Sequence, residues 1–514
     1  MRHPTARANF VFACIIATIH LATARATGAP AKETPVSNAP SNSQLQSLNE
    51  GPAQYLRAGP IRLKFENGEL RYLRVGEKEI VRRIYFSVRD GNWGTALPKF
   101  SQMQVEKGDD HFTIHLAARH TLGALDFQWK GTVTGAADGK ITFHATGTPN
   151  ADFDSNRIGL CVLFGARSLS GQDFQTDGKF PHATFPLLVS AKLVGERFHT
   201  LTYATPDGLK VSCKMQNATF DMEDQRNWGD NSWKAYGPLP YAYKHVTKGD
   251  EKSQTVTISV NGAKTADAAP AAQDPVRVRI GKPIAGSRVP VLVAVGSIVK
   301  PAEFVDISFH RDKYADKKDV SWSYIPTTHL PDDDTIMENL PAVATQLKTV
   351  RKFNTAGAKL HVGPIHLVKQ GHDPRGQTAF GAAWAAGMMK YLSMGAAEEA
   401  AFDLGDGPAH QVLDALRPYG GDRLLAVETV PEDPRHVVAF ALAGQQDETA
   451  KAIFLVNQSA EARHVRLEEL KSGTAHVVHL GVDAPVAPAP VRNGEIEIEL
   501  APSAVVEVRF ARKP

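Results

Sequence analysis

One run in the first half of the chain carries the residue types that best suit carbohydrate recognition. Its charged and aromatic members are Glu223, Asp224, Arg226, Trp228, Asp230 and Lys234. Carboxylates accept hydrogen bonds from sugar hydroxyls, an indole ring offers a flat apolar face, and arginine can hold a carboxylate through two parallel hydrogen bonds. The run is therefore a candidate substrate-binding segment. The alternative is a polar loop tied by Asp–Arg and Asp–Lys pairs where strand edges meet a neighbouring domain.

A second group of candidates follows predicted strands in the second half of the chain. Asp403 ends one such strand, Asp406 lies in the loop behind it, and His329 and His366 follow two others. A carboxylate or an imidazole at such a position can serve as a general acid or base. Asp403 and His329 are thus catalytic candidates, while Asp406 and His366 are candidate substrate ligands, with His372 nearby. For the histidines the alternative is an ordinary hydrogen-bonding role.

Several reaction classes lack their sequence signatures. The chain has no G-x-S-x-G elbow, no H-E-x-x-H motif and no phosphate-binding loop. No cysteine and histidine spacing resembles a zinc site, so we expect neither a metal nor another cofactor. A net charge of +3 over 514 residues does not indicate nucleic-acid binding.

Two cysteines, Cys161 and Cys213, lie in apolar, strand-like stretches. They could pair in an oxidising compartment. The favoured alternative is that both cysteines are buried as small hydrophobic residues and do not pair.

The N-terminus predicts export. Basic residues precede an apolar run from Phe10 to about Ala22, and small-residue steps follow it. This pattern is typical of a secretory signal peptide over residues 1–26, and the run is shorter than the roughly 20 residues that a membrane span requires. Residues 27–50 are rich in Ala, Pro, Ser and Asn and indicate a disordered leader. We expect a secreted or periplasmic protein without an integral membrane segment.

Residues 51–265 predict a large antiparallel β-sandwich. Short segments alternate apolar and polar residues between Gly, Asn and Asp turns, as in 112–116, 126–133 and 253–260. Such alternation places one face of each strand in a core. Residues 266–280, rich in Ala, Asp and Pro, are predicted to be a linker.

Residues 281–423 change to a strand–helix alternation that indicates parallel βα units. Strands are predicted at 289–296, 320–325, 360–367 and 399–404, and helices from about 334 with a kink at Pro341, at 377–394 and at 408–417. The run 289–296 is apolar throughout, which is typical of a strand buried on both faces. β-like segments return over 424–514 and predict a small C-terminal β-sandwich. The fold class is therefore multi-domain β plus α/β.

The run Phe220–Tyr236, FDMEDQRNWGDNSWKAY, resembles a signature of the D-apionate lactonase family of bacteria. The segments 83–95, 126–135, 156–163 and 323–333 and the helix sequence at 380–384 resemble that family as well. The resemblance implies a β-sandwich, a (β/α)₈ barrel, a C-terminal β domain and the hydrolysis of a sugar lactone.

The chain departs from that family in the length of its barrel. A complete barrel takes about 250 residues, and residues 281–423 hold four predicted strands that match the second half of one by order. The first four βα units are therefore expected to be missing. The open sheet edges must be covered, and a homodimer could cover them.

These observations favour two functions. The first is an exported hydrolase of a sugar lactone or related glycoside, in which Asp403 or His329 activates water and Arg226 or Lys234 steadies the oxyanion. The second is a non-catalytic carbohydrate-binding or scaffold protein that descends from such an enzyme.

Overall fold

A computed structural model describes residues 53–237, 244–262, 275–326, 332–368, 373–430, 436–470, 474–482 and 487–510. The predicted signal peptide and leader lie outside the described residues, as do His329 and His372. Within the described part of the chain, no helix is long and apolar enough to cross a membrane. Cys161 and Cys213 are both buried and unbonded, as the favoured interpretation predicted.

The first part of the described chain is almost entirely β-structure. Its strands are β1 (Gln54–Ala58), β2 (Ile61–Glu66), β3 (Glu69–Val75), β4 (Lys78–Arg89), β5 (Pro98–Lys107), β6 (Phe112–Leu122), β7 (Leu125–Gly135), β8 (Ile141–Pro149), β9 (Phe153–Ser155), β10 (Arg157–Gly165), β11 (Asp173–Thr176), β12 (His182–Thr184), β13 (Gly195–Phe198), β14 (Thr200–Ala204), β15 (Lys210–Gln216), β16 (Phe220–Asp224), β17 (Ser232–Tyr236), β18 (Lys244–Val246) and β19 (Lys252–Asn261). A single helical turn, α1 (Ala166–Leu169), and the 3₁₀ helix Gln225–Trp228 interrupt them.

Two large sheets form the predicted sandwich. One has eight strands in the order β1-β2-β3-β4-β10-β17-β16-β13, and the other has nine in the order β12-β11-β14-β15-β19-β8-β7-β6-β5. In β6, β7 and β8 buried and more exposed residues alternate, because the nine-stranded sheet has one face on the core and the other in solvent. The core between the sheets includes Phe127, Phe143, Phe164 and Trp233.

The eight-stranded sheet is covered on both of its faces around its central strands. All nine residues of β10 are buried, and so are all five of β17. The face that points away from the sandwich core meets the second domain, where Arg71 of β3 contacts Asp332. A face buried in this way must satisfy its polar side chains internally, and this requirement shapes the candidate site.

The second domain is built on a five-stranded parallel sheet with helices. Its elements are β21 (Val291–Leu292), β22 (Ala302–Glu303), α2 (Phe304–Phe309), α3 (Arg311–Tyr314), β23 (Asp319–Tyr324), α4 (Asp333–Glu338), α5 (Ala342–Phe353), β24 (Lys359–Ile365), the 3₁₀ helix Pro374–Gln377, α6 (Ala379–Met394), β25 (Glu399–Phe402), α7 (Pro408–Leu416) and the 3₁₀ helix Arg417–Tyr419. The strand β20 (Val276–Pro283) precedes them and belongs to a different sheet.

The order of the parallel strands is β21-β25-β24-β23-β22, so that the first strand lies beside the last. In a closed barrel of eight strands the first and last strands are also neighbours. The two edges of this five-stranded sheet, called the partial barrel below, are therefore β21 and β22.

Two details of the second domain differ from the sequence prediction. The apolar run 289–296 forms only the short strand β21 at the sheet edge, where Val291 is 45% exposed, so it is not a strand buried on both faces. Apolar composition alone does not reveal an edge position. The predicted helix kink is a complete break, since α4 ends at Glu338 and α5 begins after Pro341.

The last part of the chain contributes eight strands to a nine-stranded sheet, in which β20 is the ninth. Its strands are β26 (Arg423–Val430), β27 (Val437–Ala443), β28 (Ala452–Asn457), β29 (Arg463–Leu467), β30 (Thr474–Leu480), β31 (Ala487–Pro490), β32 (Ile496–Leu500) and β33 (Val505–Phe510). The order is β31-β30-β33-β28-β27-β26-β20-β29-β32. Residues 276–280, predicted to be linker, thus belong to a strand of this sheet, where β20 pairs antiparallel with β26 and parallel with β29. Phe440 and Phe454 of this sheet pack in one core with Trp384 of α6.

His120 in β6 makes the stability of the sandwich depend on pH. Its Nδ1 lies 2.7 Å from the carbonyl oxygen of Ala96, and its Nε2 accepts the indole N–H of Trp129 at 2.8 Å. Burial lowers the pKa of His120 to about 4, so the unfolded chain, with a pKa near 6.5, takes up this proton first as the pH falls. Stability is then lost between about pH 6.5 and pH 4, by roughly 2–3 kcal/mol.

We expect His120→Gln to reduce the loss of stability at acid pH, because a glutamine side chain can keep both a donor and an acceptor without titrating. Urea unfolding at pH 7, 5.5 and 4.5 measures the effect. His115→Gln, on the same strand and only half-buried, is the matched control and should keep the pH dependence of the unchanged protein. Equal acid sensitivity in the two variants would contradict the assignment.

Candidate functional site

The run 220–236 folds into two paired strands joined by a tight 3₁₀ turn. Strands β16 and β17 pair antiparallel, with Glu223 opposite Lys234. Asp224 caps the 3₁₀ helix by accepting the backbone N–H of Arg226. Gly229 ends the turn with φ of 83°, and a Cβ there would collide with the carbonyl oxygen of Ile325. Glycine is therefore required where the turn touches the end of β23.

Asp224 and Arg226 form an ion pair sealed inside the protein. Their side chains are 0% and 1% exposed, and Arg226 Nη2 lies 2.7 Å from Asp224 Oδ2. The same guanidinium donates to the carbonyl oxygens of Pro186 and Leu188, while Asp224 also accepts the N–H of Ser190. These contacts favour the structural alternative for both residues, since their polar groups are occupied within the protein.

The turn is also hydrogen-bonded to the second domain. Gln346 of α5 donates to the carbonyl oxygen of Arg226 at 2.8 Å and accepts the indole N–H of Trp322 at 3.0 Å. The backbone N–H of Asn231 donates to the side-chain oxygen of Asn339 at 2.8 Å. Residues 224–231 with Asn339 and Gln346 are called the domain joint below. Each of these hydrogen bonds is buried. Removing one partner would therefore leave the other without a hydrogen bond, because water cannot replace the lost partner.

A second set of bonds holds the same two domains together beside the joint. Asp332, at the N-terminus of α4, lies 2.8 Å from Arg71 of β3 and also contacts Arg83 of β4. Burial opposes ionisation of Asp332, but the two guanidinium groups and the hydrogen bonds of Thr335 hold its pKa well below the usual range. Tyr72 donates to Glu338 of the same helix at 2.7 Å. The outward face of the sandwich is thus bound to Asp332 and to the helix α4 that follows it.

Five further outward-facing residues of this sheet form a polar cluster, called the outer face below. Its members are Arg89, Arg157, Glu223, Lys234 and Tyr236. Tyr236 donates to Glu223, and Gln225 bridges Glu223 and Lys234 with hydrogen bonds of 3.0 Å and 2.7 Å. The structure therefore brings together two of the predicted substrate ligands, Glu223 and Lys234.

The outer face changes the protonation of Lys234. Burial, together with the guanidinium groups of Arg157 and Arg89, lowers the pKa of Lys234 to about 7, and the carboxylate of Glu223 offsets this only in part. Glu223 itself keeps a lowered pKa: burial opposes its charge, but Arg157 and Lys234 stabilise it. A lysine that titrates near neutral pH can donate or accept a proton there.

Trp228 and Asp230 lie at the margin of the joint and remain partly exposed. Asp230 accepts a hydrogen bond of 2.7 Å from Ser232. The side chain of the second tryptophan in this run, Trp233, is fully buried in the sandwich core.

The candidates of the second domain lie at the C-terminal ends of its parallel strands. His366 follows β24 and Asp403 follows β25, and His366 Nδ1 lies 3.4 Å from Asp403 Oδ2. Their side chains are 30% and 46% exposed, so both atoms of this pair can be reached from solvent. Asp406 lies three residues beyond in the same loop and is exposed. This is the end of the sheet at which barrel enzymes place their catalytic groups.

A similar pair lies at the opposite end of the same two strands. His361 Nδ1 lies 2.9 Å from Glu399 Oε2, and its Nε2 lies 3.3 Å from Asp319. Residues at the N-terminal ends of barrel strands contribute to stability rather than to catalysis. The His366–Asp403 and His361–Glu399 pairs thus have the same chemistry and lie on the same two strands, but at opposite ends of the sheet.

The sequence interpretation overlooked Arg157 and Trp93. Arg157 begins the strand β10, whose other residues are apolar or glycine, and a lone charge in such a strand was the available signal. Trp93 has φ of 67° and is 49% exposed. In the described part of the chain, no cluster of three or more His, Cys, Asp or Glu residues could hold a metal ion.

The comparisons with known proteins agree with the resemblance in the sequence. Residues 43–263 match the family model of the D-apionate lactonase N-terminal domain. A D-apionate lactonase of Brucella anthropi is 27% identical over 262 residues, which is 49% of this chain and 42% of that protein. This part of the chain is therefore similar in sequence to the N-terminal domain of D-apionate lactonases. The chain matches less than half of the length of this curated lactonase.

Solved structures give weaker similarities. A Paenibacillus polymyxa xyloglucanase of glycoside hydrolase family 44 is 13% identical, with a TM-score of 0.30 over 42% of this chain and 52% of that one. A galactose mutarotase-like protein of Lactobacillus casei is 11% identical, with a TM-score of 0.30 over 41% of this chain and 100% of that one. At these scores the structural matches carry no conclusion about this chain.

The buried lysine of the outer face should make stability rise with pH. Between about pH 7 and pH 10 the unfolded chain keeps a proton on Lys234 that the folded protein releases, so the folded state gains stability as the pH rises through this window. Compared with Lys234→Met, the unchanged protein should gain roughly 2–4 kcal/mol between pH 6.5 and 9.5.

Chemical unfolding at several pH values measures this difference. Lys214→Met, which removes an exposed lysine of β15, is the control and should leave the pH profile unchanged. Parallel profiles for the unchanged protein and Lys234→Met would contradict the proposed protonation of Lys234.

Proposed function

We propose that the protein hydrolyses a sugar lactone, or a related sugar ester or glycoside, at the C-terminal ends of β24 and β25. The observation that supports this most directly is the solvent-accessible His366–Asp403 pair at that end of the sheet. The similarity of residues 43–263 to the N-terminal domain of D-apionate lactonases supports the substrate class.

The proposed step needs only water and the lactone. Asp403 orients His366 through Nδ1–H, and the imidazole Nε2 takes a proton from a water molecule as the water oxygen attacks the lactone carbonyl carbon. The ring C–O bond then breaks, and the departing alkoxide oxygen takes the proton back from the imidazolium. The product is an open-chain hydroxy acid. His329 and Asp406 remain candidates for the same site.

The test compares the two histidine–carboxylate pairs of β24 and β25. With D-apionolactone and other aldonolactones as substrates, we expect His366→Gln and Asp403→Asn to lower kcat/KM by about 100-fold or more, as for other general bases. His361→Gln removes the equivalent imidazole at the other end of the strands. It should lower the unfolding temperature while retaining turnover.

Equal turnover in His366→Gln and His361→Gln would contradict the assignment. A second candidate function, carbohydrate binding without catalysis, is favoured by one observation: the five parallel strands do not make a complete barrel. Absence of turnover in the unchanged protein, with sugar binding retained, would support this second function.

Location and assembly also belong to this proposal. The basic and apolar residues of the predicted signal peptide support action outside the cytoplasm. The sheet edges at β21 and β22 support a homodimer that covers them. Fractionation of expressing cells and light scattering of the purified protein test these two points separately.

A further inference from the structure

Arg157 is held in an unusual way within the outer face. Its guanidinium lies over the ring of Tyr236 at 3.5 Å from the ring centre, and 5.5 Å from that of Trp93. The residue is only 5% exposed. Within the described part of the chain its guanidinium forms no hydrogen bond and no ion pair, although it carries five N–H donors.

The neighbours of Arg157 leave positive charge at this position. Across the β4–β10 ladder Arg157 is directly opposite Arg89, and like charges in that relation repel each other. Lys234, whose pKa is lowered to about 7, adds only part of a positive charge at neutral pH, and its hydrogen bond goes to the neutral amide of Gln225. Glu223, opposite Lys234, contributes one carboxylate, which Tyr236 and Gln225 already engage.

The rings of Tyr236 and Trp93 indicate which kind of ligand could bind beside the positive charge of Arg157. A guanidinium stacked on an aromatic ring by its face keeps the N–H groups of its edge free for a coplanar acceptor, and a carboxylate matches that fork with two hydrogen bonds. Trp93, half exposed beside it, offers an indole surface on which the C–H face of a sugar can lie. Glu223 is partly exposed and can accept a hydrogen bond from a hydroxyl group.

We propose that the outer face is a binding site for a sugar acid, in which Arg157 holds the carboxylate and Trp93 stacks against the carbon skeleton. Its residues differ from the His366–Asp403 pair, and the proposal does not require that pair to be catalytic. Two sources of the ligand share this chemistry: the open-chain acid that lactone hydrolysis releases, and a cyclic uronic acid.

Isothermal titration of the full protein tests the site with four probes: D-gluconate, D-galacturonate, D-glucose and acetate. We expect one or both sugar acids to bind, while glucose lacks the carboxylate and acetate lacks the sugar skeleton, so each should bind at least 10-fold more weakly. Tighter binding of gluconate identifies a hydrolysis product as the source, and tighter binding of galacturonate identifies a uronic acid. Binding of neither sugar acid would overturn the proposal.

Variants then assign the contacts. Arg157→Lys keeps the charge but removes the fork, and Trp93→Ala changes an exposed side chain, so we expect folded proteins that bind the sugar acid about 10-fold and several-fold more weakly, respectively. Tyr55→Ala and Arg119→Gln are controls, since these residues are exposed elsewhere on the sandwich. Unchanged affinity in both Arg157→Lys and Trp93→Ala, with circular dichroism confirming the fold, would overturn the assignment.

Discussion

The architecture depends on the buried ion pair of Asp224 and Arg226 and on the hydrogen bonds around it. Removing two charges from water costs several kcal/mol for each ion, and only close partners offset that cost. Here the carbonyl oxygens of residues 186 and 188 and the amide of Ser190 complete the set. The pair therefore requires the segment 186–190 to lie in one position. That segment in turn contacts the second domain, where Thr349 binds the N–H of Val189.

This constraint separates two roles within one short run of sequence. In β16 and β17 the side chains alternate between the sandwich core and the outer face. Trp233 and Met222 enter the core, whereas Glu223 and Lys234 meet on the opposite face. The turn between the strands forms the domain joint. A polar run that resembles a binding motif is thus partly structural, and its remaining residues are available to a ligand.

The fold was largely predictable from sequence, and the reasons are local. Alternation identified β6, β7 and β8, and the helix predicted from about residue 334 covers both α4 and α5, although a single kinked helix was expected. The run 289–296 misled because its burial depends on which strands lie beside it, and the neighbours of an edge strand are set by tertiary pairing. Strand β20 was missed for the same reason, since it pairs with strands far along the chain.

The candidate site was predictable in composition but not in arrangement. Sequence placed Glu223 and Lys234 in one segment and Asp403 and His366 after strands, but it could not show that Arg226 is sealed by Asp224. Nor could it show that Arg157, from a segment more than sixty residues upstream of Glu223, lies near that carboxylate. Such proximity follows from strand order, which no local pattern encodes.

Native-state hydrogen exchange on Gln346→Leu tests most directly whether the joint makes the sandwich and the partial barrel one cooperative unit. The substitution leaves the indole N–H of Trp322 and the carbonyl of Arg226 without their buried partner, at a cost of about 1–3 kcal/mol for each group. Amides of β10 and β17 in the sandwich and of α5 in the second domain should lose protection by the same factor. Loss of protection in α5 alone, with β10 and β17 unchanged, would contradict this account.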